Sequence, residues 1–244
     1  MTVGKAAAKR FILRFLYAAK IVLHRLGLHK KGVLVYLGLH RGLSFDKLFL
    51  NYSLCYGFEA NPHLFKELHQ KYSRYPHVRL FNVAVATYAG EITFHISSND
   101  GASSSIGEFN ENWPQRAAGS VLMTESVKVP CINIYDFLRK EGVEYIDTYI
   151  SDIQGMDLEV LKTLKPYFEK RKIGSITCEV AKNEKKNIYK LPDNSESGFE
   201  SLVKENYTMV MKGWGIGSKK GIGNVPADWW EMDCTWELKN ARKK

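Results

Sequence analysis

The sequence predicts an α/β fold in which helices cover both faces of a mostly parallel sheet. After the N-terminal segment, short apolar runs typical of buried strands alternate with segments of helical periodicity. The first apolar run, 33–37, leads into a turn marked by Gly38 and Gly42, and the next, 54–59, ends in an acid. The 244 residues and a hydrophobic content of 45% suffice for one domain with a sizeable core.

The first half of the chain predicts four strands and two helices. Alternation of apolar and polar residues indicates the strands, and Asn61 followed by Pro62 is a typical helix start. In chain order, the predicted elements are a strand at 33–37, a helix at 43–52, a strand at 54–59, a helix at 62–73, a strand at 78–86 and a strand at 91–96.

The second half opens with the least structured part of the prediction, residues 97–126. A loop of this length in a compact domain is typical of a lid or a binding loop, and a mobile surface excursion is the alternative. The elements predicted after it are a strand at 127–131, helix 134–140, strand 145–152, helix 157–168, strand 173–180, helix 197–206, strand 207–212 and a final strand at 234–238.

The positive charge of the chain belongs to its N-terminal segment. Residues 1–31 carry eight Lys and Arg and no acid, which leaves 27 basic against 26 acidic residues elsewhere. We therefore divide the chain into a basic amphipathic N-terminal helix, residues 1–31, and a domain of residues 32–244. The nearly neutral domain argues against a nucleic-acid partner.

Three interpretations of the N-terminal helix stay open: packing against the domain, contact of residues 5–31 with an anionic membrane surface, or organellar targeting. Arg14 and Lys20 interrupt the apolar run, so we do not expect a membrane span. We expect a cytoplasmic protein, with membrane association as an additional expectation. The sequence leaves the oligomeric state open.

The four cysteines are predicted to be free, buried thiols in a reducing compartment, because they are scattered and form no C-x-x-C pair. Asp, Glu and His residues are too dispersed to indicate a metal site, and we predict none.

The glycine turn and the following acid predict a nucleoside-containing cofactor. Small residues after a buried strand let the backbone approach a ligand, and Glu59 lies where a carboxylate can accept hydrogen bonds from a ribose. A third glycine of the dinucleotide fingerprint is missing, which disfavours NAD. Asp152 follows a later core strand, and the carboxyl ends of parallel strands meet at one edge of the sheet.

This ordered set resembles the FkbM family of S-adenosylmethionine-dependent methyltransferases. The resemblance covers roughly residues 33–210 and rests on four segments. They are Tyr36 to Ser44, Phe58-Glu59-Ala60-Asn61-Pro62, Asn82-Val83-Ala84-Val85, and Asp152 to Asp157 with Val160-Leu161 after it.

The resemblance implies a Rossmann-like class I methyltransferase fold with a seven-stranded, mostly parallel sheet. It implies that S-adenosylmethionine donates a methyl group to a hydroxyl of a sugar, glycoconjugate or other small-molecule acceptor. Carried over to this chain, Gly38, His40 and Gly42 would line the methionine and ribose part of the cofactor, Glu59 would bind the ribose, and Asn82 and Ala84 would lie near the adenine.

Asp152 is the predicted catalytic base, with stabilisation of the helix at 157–168 as its alternative role. Two positions depart from the family pattern. Tyr36 stands where an aspartate is usual, and Ile150 stands where a lysine is common. These departures motivate a second hypothesis, a catalytically impaired binding protein at a membrane surface. A nucleic-acid methyltransferase is a third, which the neutral domain disfavours.

Overall fold

The structure is a computed structural model that describes residues 19–24, 26–28, 31–111, 113, 121–213, 221–223, 225–226 and 228–240. The strands are β1 (Lys31–Leu37), β2 (Tyr52–Phe58), β3 (Val78–Phe81), β4 (Ala84–Ala86), β5 (Gly90–Ser97), β6 (Met123–Asn133), β7 (Ile146–Ser151), β8 (Ile173–Ala181), β9 (Tyr207–Gly213), β10 (Gly221–Ile222) and β11 (Glu231–Leu238). The helices are α1 (Pro62–Tyr72), α2 (Ile134–Lys140), α3 (Asp157–Thr163), α4 (Lys165–Glu169) and α5 (Glu196–Val203), with 3-10 turns at Phe45–Lys47, Phe49–Asn51 and Glu184–Lys186.

The central sheet has the strand order β10-β9-β11-β8-β7-β1-β2-β3. Strands β3, β2, β1, β7 and β8 run parallel, whereas β11 is antiparallel to both of its neighbours. The α/β fold predicted from the sequence is confirmed. Over the described residues this sheet has eight strands rather than seven, because the two-residue β10 extends the edge beyond β9.

A second sheet of three strands, in the order β4-β6-β5, was not predicted. The predicted strand at 78–86 was wrong as one element, because β3 ends at Phe81 and β4 belongs to the second sheet. The side-chain amide of Asn82 donates to the carbonyls of Glu59 (2.8 Å) and Ala60 (3.2 Å). These bonds hold the chain where it leaves the first sheet.

Both faces of the central sheet are buried, as the sequence of β1 requires. Leu34 and Tyr36 pack into one core cluster with the 3-10 turns and α1, while Val35 and Leu37 pack into the other. Side chains alternate across a strand, so a strand that is apolar at every position must be covered on both sides. This double burial places β1 and its following turn at the centre of the molecule.

Two predicted helices differ from the structure. The segment 43–52 forms two short 3-10 turns, because packing of the buried Phe45 and Phe49 rings on Tyr72 overrides helical propensity there. The segment 157–168 is divided into α3 and α4 near Pro166, whose nitrogen cannot donate the helical hydrogen bond.

The N-terminal helix is described only in part, since residues 1–18 lie outside the described residues. Residues 19–24 are helical. Ile21 packs on the domain, and the His24 ring nitrogen Nε2 donates to the Tyr52 carbonyl at 2.8 Å. Val22, Leu23, Leu26 and Leu28 are exposed. Among the helices of the described residues, none is long and apolar enough to cross a membrane. The division into residues 1–31 and 32–244 stays a prediction.

The four cysteines are free and buried, which confirms that part of the prediction. Burial raises the pKa of each thiol. A buried thiol with a raised pKa is a poor nucleophile, so none of the four is a candidate for chemistry.

Candidate functional site

The candidate site lies at the carboxyl edge of the central sheet. Gly38 follows β1, Glu59 follows β2, Asp152 follows β7, and Glu179 lies near the end of β8. Because β11 runs antiparallel, its first residues reach the same edge and bring Asp233 there. Ligands of parallel α/β sheets bind outside the carboxyl ends of the strands, and two adjoining cavities open at this edge.

The turn after β1 is held by contacts to two neighbouring strands. Gly38 has a φ of +74°, and a Cβ atom there would lie 1.8 Å from the Asp152 carbonyl oxygen. Its N–H donates to the Phe58 carbonyl at 3.0 Å, and the Asp152 N–H donates to the Leu37 carbonyl at 3.1 Å. Only glycine fits this crossing, so the turn and the segment after β7 are in direct backbone contact.

Glu59 is 6% exposed and ties the turn to the second strand. Its Oε2 accepts from the backbone N–H of His40 at 2.7 Å, and its Oε1 accepts from that of Asn61 at 2.8 Å. Burial raises the pKa of Glu59 to about 7, and the two N–H donors oppose this rise. Each oxygen retains a second lone pair, so the carboxylate can also accept hydrogen bonds from a ligand.

The first cavity, of about 170 Å³, has an apolar wall and a polar end. Glu59, His40, Asp152 and Gln154 form the polar end. The apolar wall consists of Phe58, Val83, Ala84, Val85, Phe94, Ile106 and Met156. This arrangement suits a flat apolar ring that is joined to a hydroxylated group.

The loop after β5 covers the first cavity and contributes Gly101, Ala102 and Ser104 to its lining. Ser105 forms a bridge to β5 and donates its hydroxyl to the Gln154 carbonyl at 2.7 Å. The predicted lid or binding loop therefore packs on the site over this part. Residues 112 and 114–120 of the predicted loop lie outside the described residues.

The second cavity, of about 250 Å³, shares Gly38, His40 and Asp152 with the first. The carboxylates of Asp152, Glu179 and Asp233 line it, and no Lys or Arg stands among its described lining residues. This wall favours ligand groups that donate hydrogen bonds or carry positive charge, and it disfavours anions.

Tyr36 also lines the second cavity, and its side chain is neutral. The residue is 3% exposed, and burial together with the nearby Asp152 carboxylate raises the pKa of its phenol well above the usual value. The end of β1 therefore supplies no carboxylate, and the carboxylates nearest to this position come from other strands. Ile150, the other departure from the family pattern, is 2% exposed in the core.

A single amide joins two of the carboxylates. The Gln154 nitrogen Nε2 lies 2.6 Å from Oδ1 of Asp152 and 2.6 Å from Oε2 of Glu179. The Tyr189 hydroxyl donates to the Gln154 oxygen Oε1. Burial raises the pKa of both Asp152 and Glu179.

Asp157 is fully buried and lines neither cavity. Its Oδ1 accepts from the Ser151 hydroxyl at 2.5 Å and from the Ile153 N–H at 3.2 Å. Its Oδ2 has no hydrogen-bond partner among the described residues. Burial raises the pKa of Asp157 to about 7. A proton on Oδ2 would relieve the buried charge, so Asp157 is a structural acid at the start of α3.

The structure places five of the seven predicted site residues on the first cavity: Gly38, His40, Glu59, Ala84 and Asp152. The other two are Gly42 and Asn82. Gly42, with a φ of +72°, packs where a Cβ atom would lie 2.7 Å from the Tyr72 hydroxyl. Asn82 holds the backbone of Glu59 and Ala60. Neither is among the residues that line the two cavities, and their contact with a ligand stays a prediction.

Sequence reasoning missed Asp233 and Tyr189. An acid at the start of the last strand was a usable signal for Asp233, because an antiparallel strand starts at the edge where its parallel neighbours end. Tyr189 lies in an irregular segment whose sequence offers no comparable signal.

The chain matches the family model described as the methyltransferase FkbM domain over residues 38–201. No curated protein matches it. Solved structures of similar fold include methyltransferase FkbM from Methylobacillus flagellatus KT, at 11% identity and a TM-score of 0.49, covering 86% of this chain. This chain spans 44% of the length of that protein.

Two other solved structures are similar over most of both chains. An rRNA methylase from Streptococcus thermophilus, at 10% identity and a TM-score of 0.43, covers 91% of this chain and 94% of its own. The N-methyltransferase NodS from Bradyrhizobium japonicum WM9, at 10% identity and a TM-score of 0.42, covers 92% of this chain and 95% of its own. At these identities, only the match to the family model bears on the activity.

We expect Asp157→Asn to reduce the pH dependence of stability. The folded protein keeps a proton on Asp157 up to about pH 7, whereas the unfolded chain releases it near 3.8. The free energy of unfolding therefore falls as pH rises from about 3.8 to about 7, by up to about 4 kcal/mol from this group. Urea denaturation at several pH values measures the slope.

The asparagine variant should lose this part of the decline and gain stability over the natural protein as the pH approaches 7. Asp136→Asn, on the exposed side of α2, is the matched control for removal of one carboxylate. An equal decline in the natural protein and in Asp157→Asn would contradict the assignment.

Proposed function

The chain belongs to the FkbM methyltransferase family, and on this premise we propose that it transfers the methyl group of S-adenosylmethionine to a hydroxyl of a sugar, glycoconjugate or related small molecule. The observation that supports the proposal is the pair of adjoining cavities at the carboxyl edge. Asp152 lies on the wall of both. One cavity can therefore hold a donor and the other an acceptor, with a carboxylate between them.

The residues of the first cavity fit the nucleoside part of the cofactor. Ala84 and the other apolar residues would contact the adenine ring, and the buried carboxylate of Glu59 would accept hydrogen bonds from the ribose hydroxyls. Gly38 and His40 would lie against the ribose and the methionine part. When bound, the cofactor supplies an electrophilic methyl group on a positively charged sulfur.

The carboxylates beside the shared wall complement that positive charge. The neutral Tyr36 offers no carboxylate for the ammonium group of the methionine part, so Asp152 and Asp233 are the groups that can attract it. Asp233 is 9% exposed, and a carboxylate shielded from water interacts more strongly with a cation.

Asp152 is the proposed general base. Burial raises the pKa of its carboxyl group, which makes its carboxylate a stronger base than an exposed aspartate. It would accept the proton of the acceptor hydroxyl as the oxygen gains the methyl group. The alternative role in stabilising α3 is less favoured, because Glu159 already provides an acid in the first turn of that helix.

The second cavity favours a neutral, hydroxylated acceptor over a nucleic acid. The acids on the wall of this cavity can form hydrogen bonds with sugar hydroxyls, and those that are ionised repel phosphate. Nucleic-acid binding relies on Lys and Arg, and the chain beyond residue 31 has nearly equal numbers of basic and acidic residues.

We expect the protein to bind S-adenosylmethionine and S-adenosylhomocysteine, and Glu59→Ala to weaken both by about tenfold or more. The variant removes the ribose acceptor and frees the His40 and Asn61 N–H groups that hold the turn. Isothermal titration calorimetry measures the dissociation constants. Glu91→Ala, an exposed acid on β5, is the control that should bind as the natural protein does. A folded protein that binds neither ligand would contradict the proposal.

We expect radiolabel from the methyl group of S-adenosylmethionine to appear in one member of a panel of neutral sugars and glycosides. Asp152→Asn should reduce the rate by about 10²-fold or more, because it removes the base. Cofactor binding without transfer to any panel member would favour the catalytically impaired alternative, for which the neutral Tyr36 is the supporting observation. Transfer to RNA in preference to sugars would contradict the acceptor class.

A second proposed function is attachment to a membrane surface by the N-terminal segment of a cytoplasmic protein. The described part of this segment keeps Ile21 on the domain and exposes four apolar side chains, of Val22, Leu23, Leu26 and Leu28. Eight Lys and Arg accompany them within residues 1–31. Exposed apolar side chains combined with positive charge are typical of contact with anionic lipid.

We expect the full chain to sediment with vesicles that contain anionic lipid and to sediment less with neutral vesicles. The pair of changes Val22→Asp and Leu26→Asp should weaken binding by about tenfold or more, since it removes apolar area and adds negative charge. Leu122→Asp, at a leucine that is 56% exposed outside this segment, is the matched control. Equal binding by the paired variant and the natural protein would contradict the attachment.

A further inference from the structure

We propose that Gln154 and Tyr189 are positioning residues that keep the Asp152 carboxylate ionised beside Glu179, and that Tyr189 acts only through the Gln154 amide. The proposal deepens the proposed function, and it rests on that function in one respect, the role of Asp152 as base. The arrangement itself is a property of the chain without ligands.

The Gln154 amide nitrogen serves both carboxylates at once. An amide nitrogen has two hydrogens, and Nε2 lies 2.6 Å from an oxygen of Asp152 and 2.6 Å from an oxygen of Glu179. Each hydrogen can therefore go to a different acid. Hydrogen bonds to the charged form of a carboxylate favour that form, so the amide stabilises negative charge where two acids meet.

Tyr189 determines which end of the amide faces the acids. Its side chain is buried, at 1% exposure, and burial raises the pKa of its phenol well above the usual value, so the hydroxyl remains a donor. The hydroxyl lies closest to Oε1 of Gln154, and the Ser103 carbonyl is a second, more distant acceptor at 3.3 Å. Donation to Oε1 places the oxygen end of the amide toward Tyr189. The nitrogen end is then directed to Asp152 and Glu179.

The backbone of this segment is held in an uncommon conformation that keeps the amide in place. Gln154 has a φ of +58° and Gly155 a φ of +100°. The Ser105 hydroxyl donates to the Gln154 carbonyl at 2.7 Å, and a Cβ atom at Gly155 would lie 2.9 Å from the Tyr189 ring. A left-handed glutamine is rarely retained without a surrounding structure that specifies it, and such residues cluster at functional sites.

The carboxylate pair needs this donor because its surroundings are mostly negative. Burial and repulsion by the neighbouring acids raise the pKa of Glu179. At Asp152, hydrogen bonds from Gln154 and from Glu179, together with the nearby His40, oppose the rise in pKa that burial causes. Glu179 is therefore the member that holds a proton more readily. The titratable groups that act on the pair are His40, Glu59, Asp157, Glu231, Asp233, Tyr36 and Tyr189.

If Tyr189 is removed, the amide can rotate and present its oxygen to the two acids. The lone pairs of the amide oxygen would then face those of the carboxylate oxygens, and a proton on Asp152 would remove this repulsion. A protonated Asp152 cannot act as a base. Tyr189 thus controls the protonation of Asp152 without touching it.

The experiment is a pH titration of ¹³C-labelled Asp and Glu carboxyl groups by NMR, on the full chain without ligand. Asp152→Asn assigns the Asp152 signal by its loss. We expect Tyr189→Phe to raise the titration midpoint of Asp152 by about one pH unit. Gln154→Met should raise it by at least as much, and the double variant should show no further rise beyond Gln154→Met.

Tyr167→Phe is the matched control, because Tyr167 is also a buried phenol and donates to a backbone carbonyl, that of Val143, away from the site. It should leave the Asp152 midpoint unchanged. A folded Tyr189→Phe protein with an unchanged midpoint would overturn the proposal. The proposal would also be overturned if Tyr189→Phe raised the titration midpoint of Asp152 by the same amount in the natural protein and in the Gln154→Met variant.

The outcome is separable from the proposed function. If the midpoints shift as expected while calorimetry detects no binding of S-adenosylhomocysteine, the positioning role stands and the methyltransferase proposal fails. If the ligand binds and the midpoints do not move, the positioning role fails alone.

Discussion

The rest of the site depends on the backbone crossing of Gly38 and the segment after β7. A Cβ atom at position 38 would lie 1.8 Å from the Asp152 carbonyl oxygen, which is far inside any permitted contact. The same few residues exchange hydrogen bonds with Leu37 and Phe58, so three strand ends are held at one point. This crossing brings Asp152 to the wall that the two cavities share. A side chain at position 38 would push the end of β1 away from the segment after β7. The two cavities would then lose the wall that they share at Asp152.

Around this crossing the chain concentrates acids that would be costly to bury singly. Glu59 is supported by two backbone N–H groups, and the pair of Asp152 and Glu179 is supported by one amide. Asp157 is less well supported, since its Oδ2 has no partner among the described residues. The differences in support explain why these acids suit different tasks. An acid that lines a cavity and receives hydrogen bonds can stay charged beside a ligand. Asp157 lines no cavity and has one oxygen without a partner among the described residues, so it stabilises the fold best when that oxygen carries a proton.

The fold class and much of the candidate site could be predicted from the sequence, because those features depend on local sequence patterns. Apolar runs located the parallel strands. Gly38, Glu59 and Asp152 each follow one of these strands, and the carboxyl ends of parallel strands lie at the same edge of the sheet. Features decided by distant packing were not predictable in this way. The segment 43–52 has helical composition, yet the contacts of Phe45 and Phe49 with Tyr72 select 3-10 turns.

The departure at Tyr36 shows how topology can compensate for a missing side chain. The end of β1 supplies a neutral phenol, so a carboxylate at this wall must come from another strand. A parallel strand can contribute only its last residues to the carboxyl edge. β11 is antiparallel, and it contributes its first residues, among them Asp233. The antiparallel strand β11 therefore adds Asp233, an acid that no sequence pattern near Tyr36 indicates. The second cavity keeps a negatively charged wall although position 36 has no aspartate.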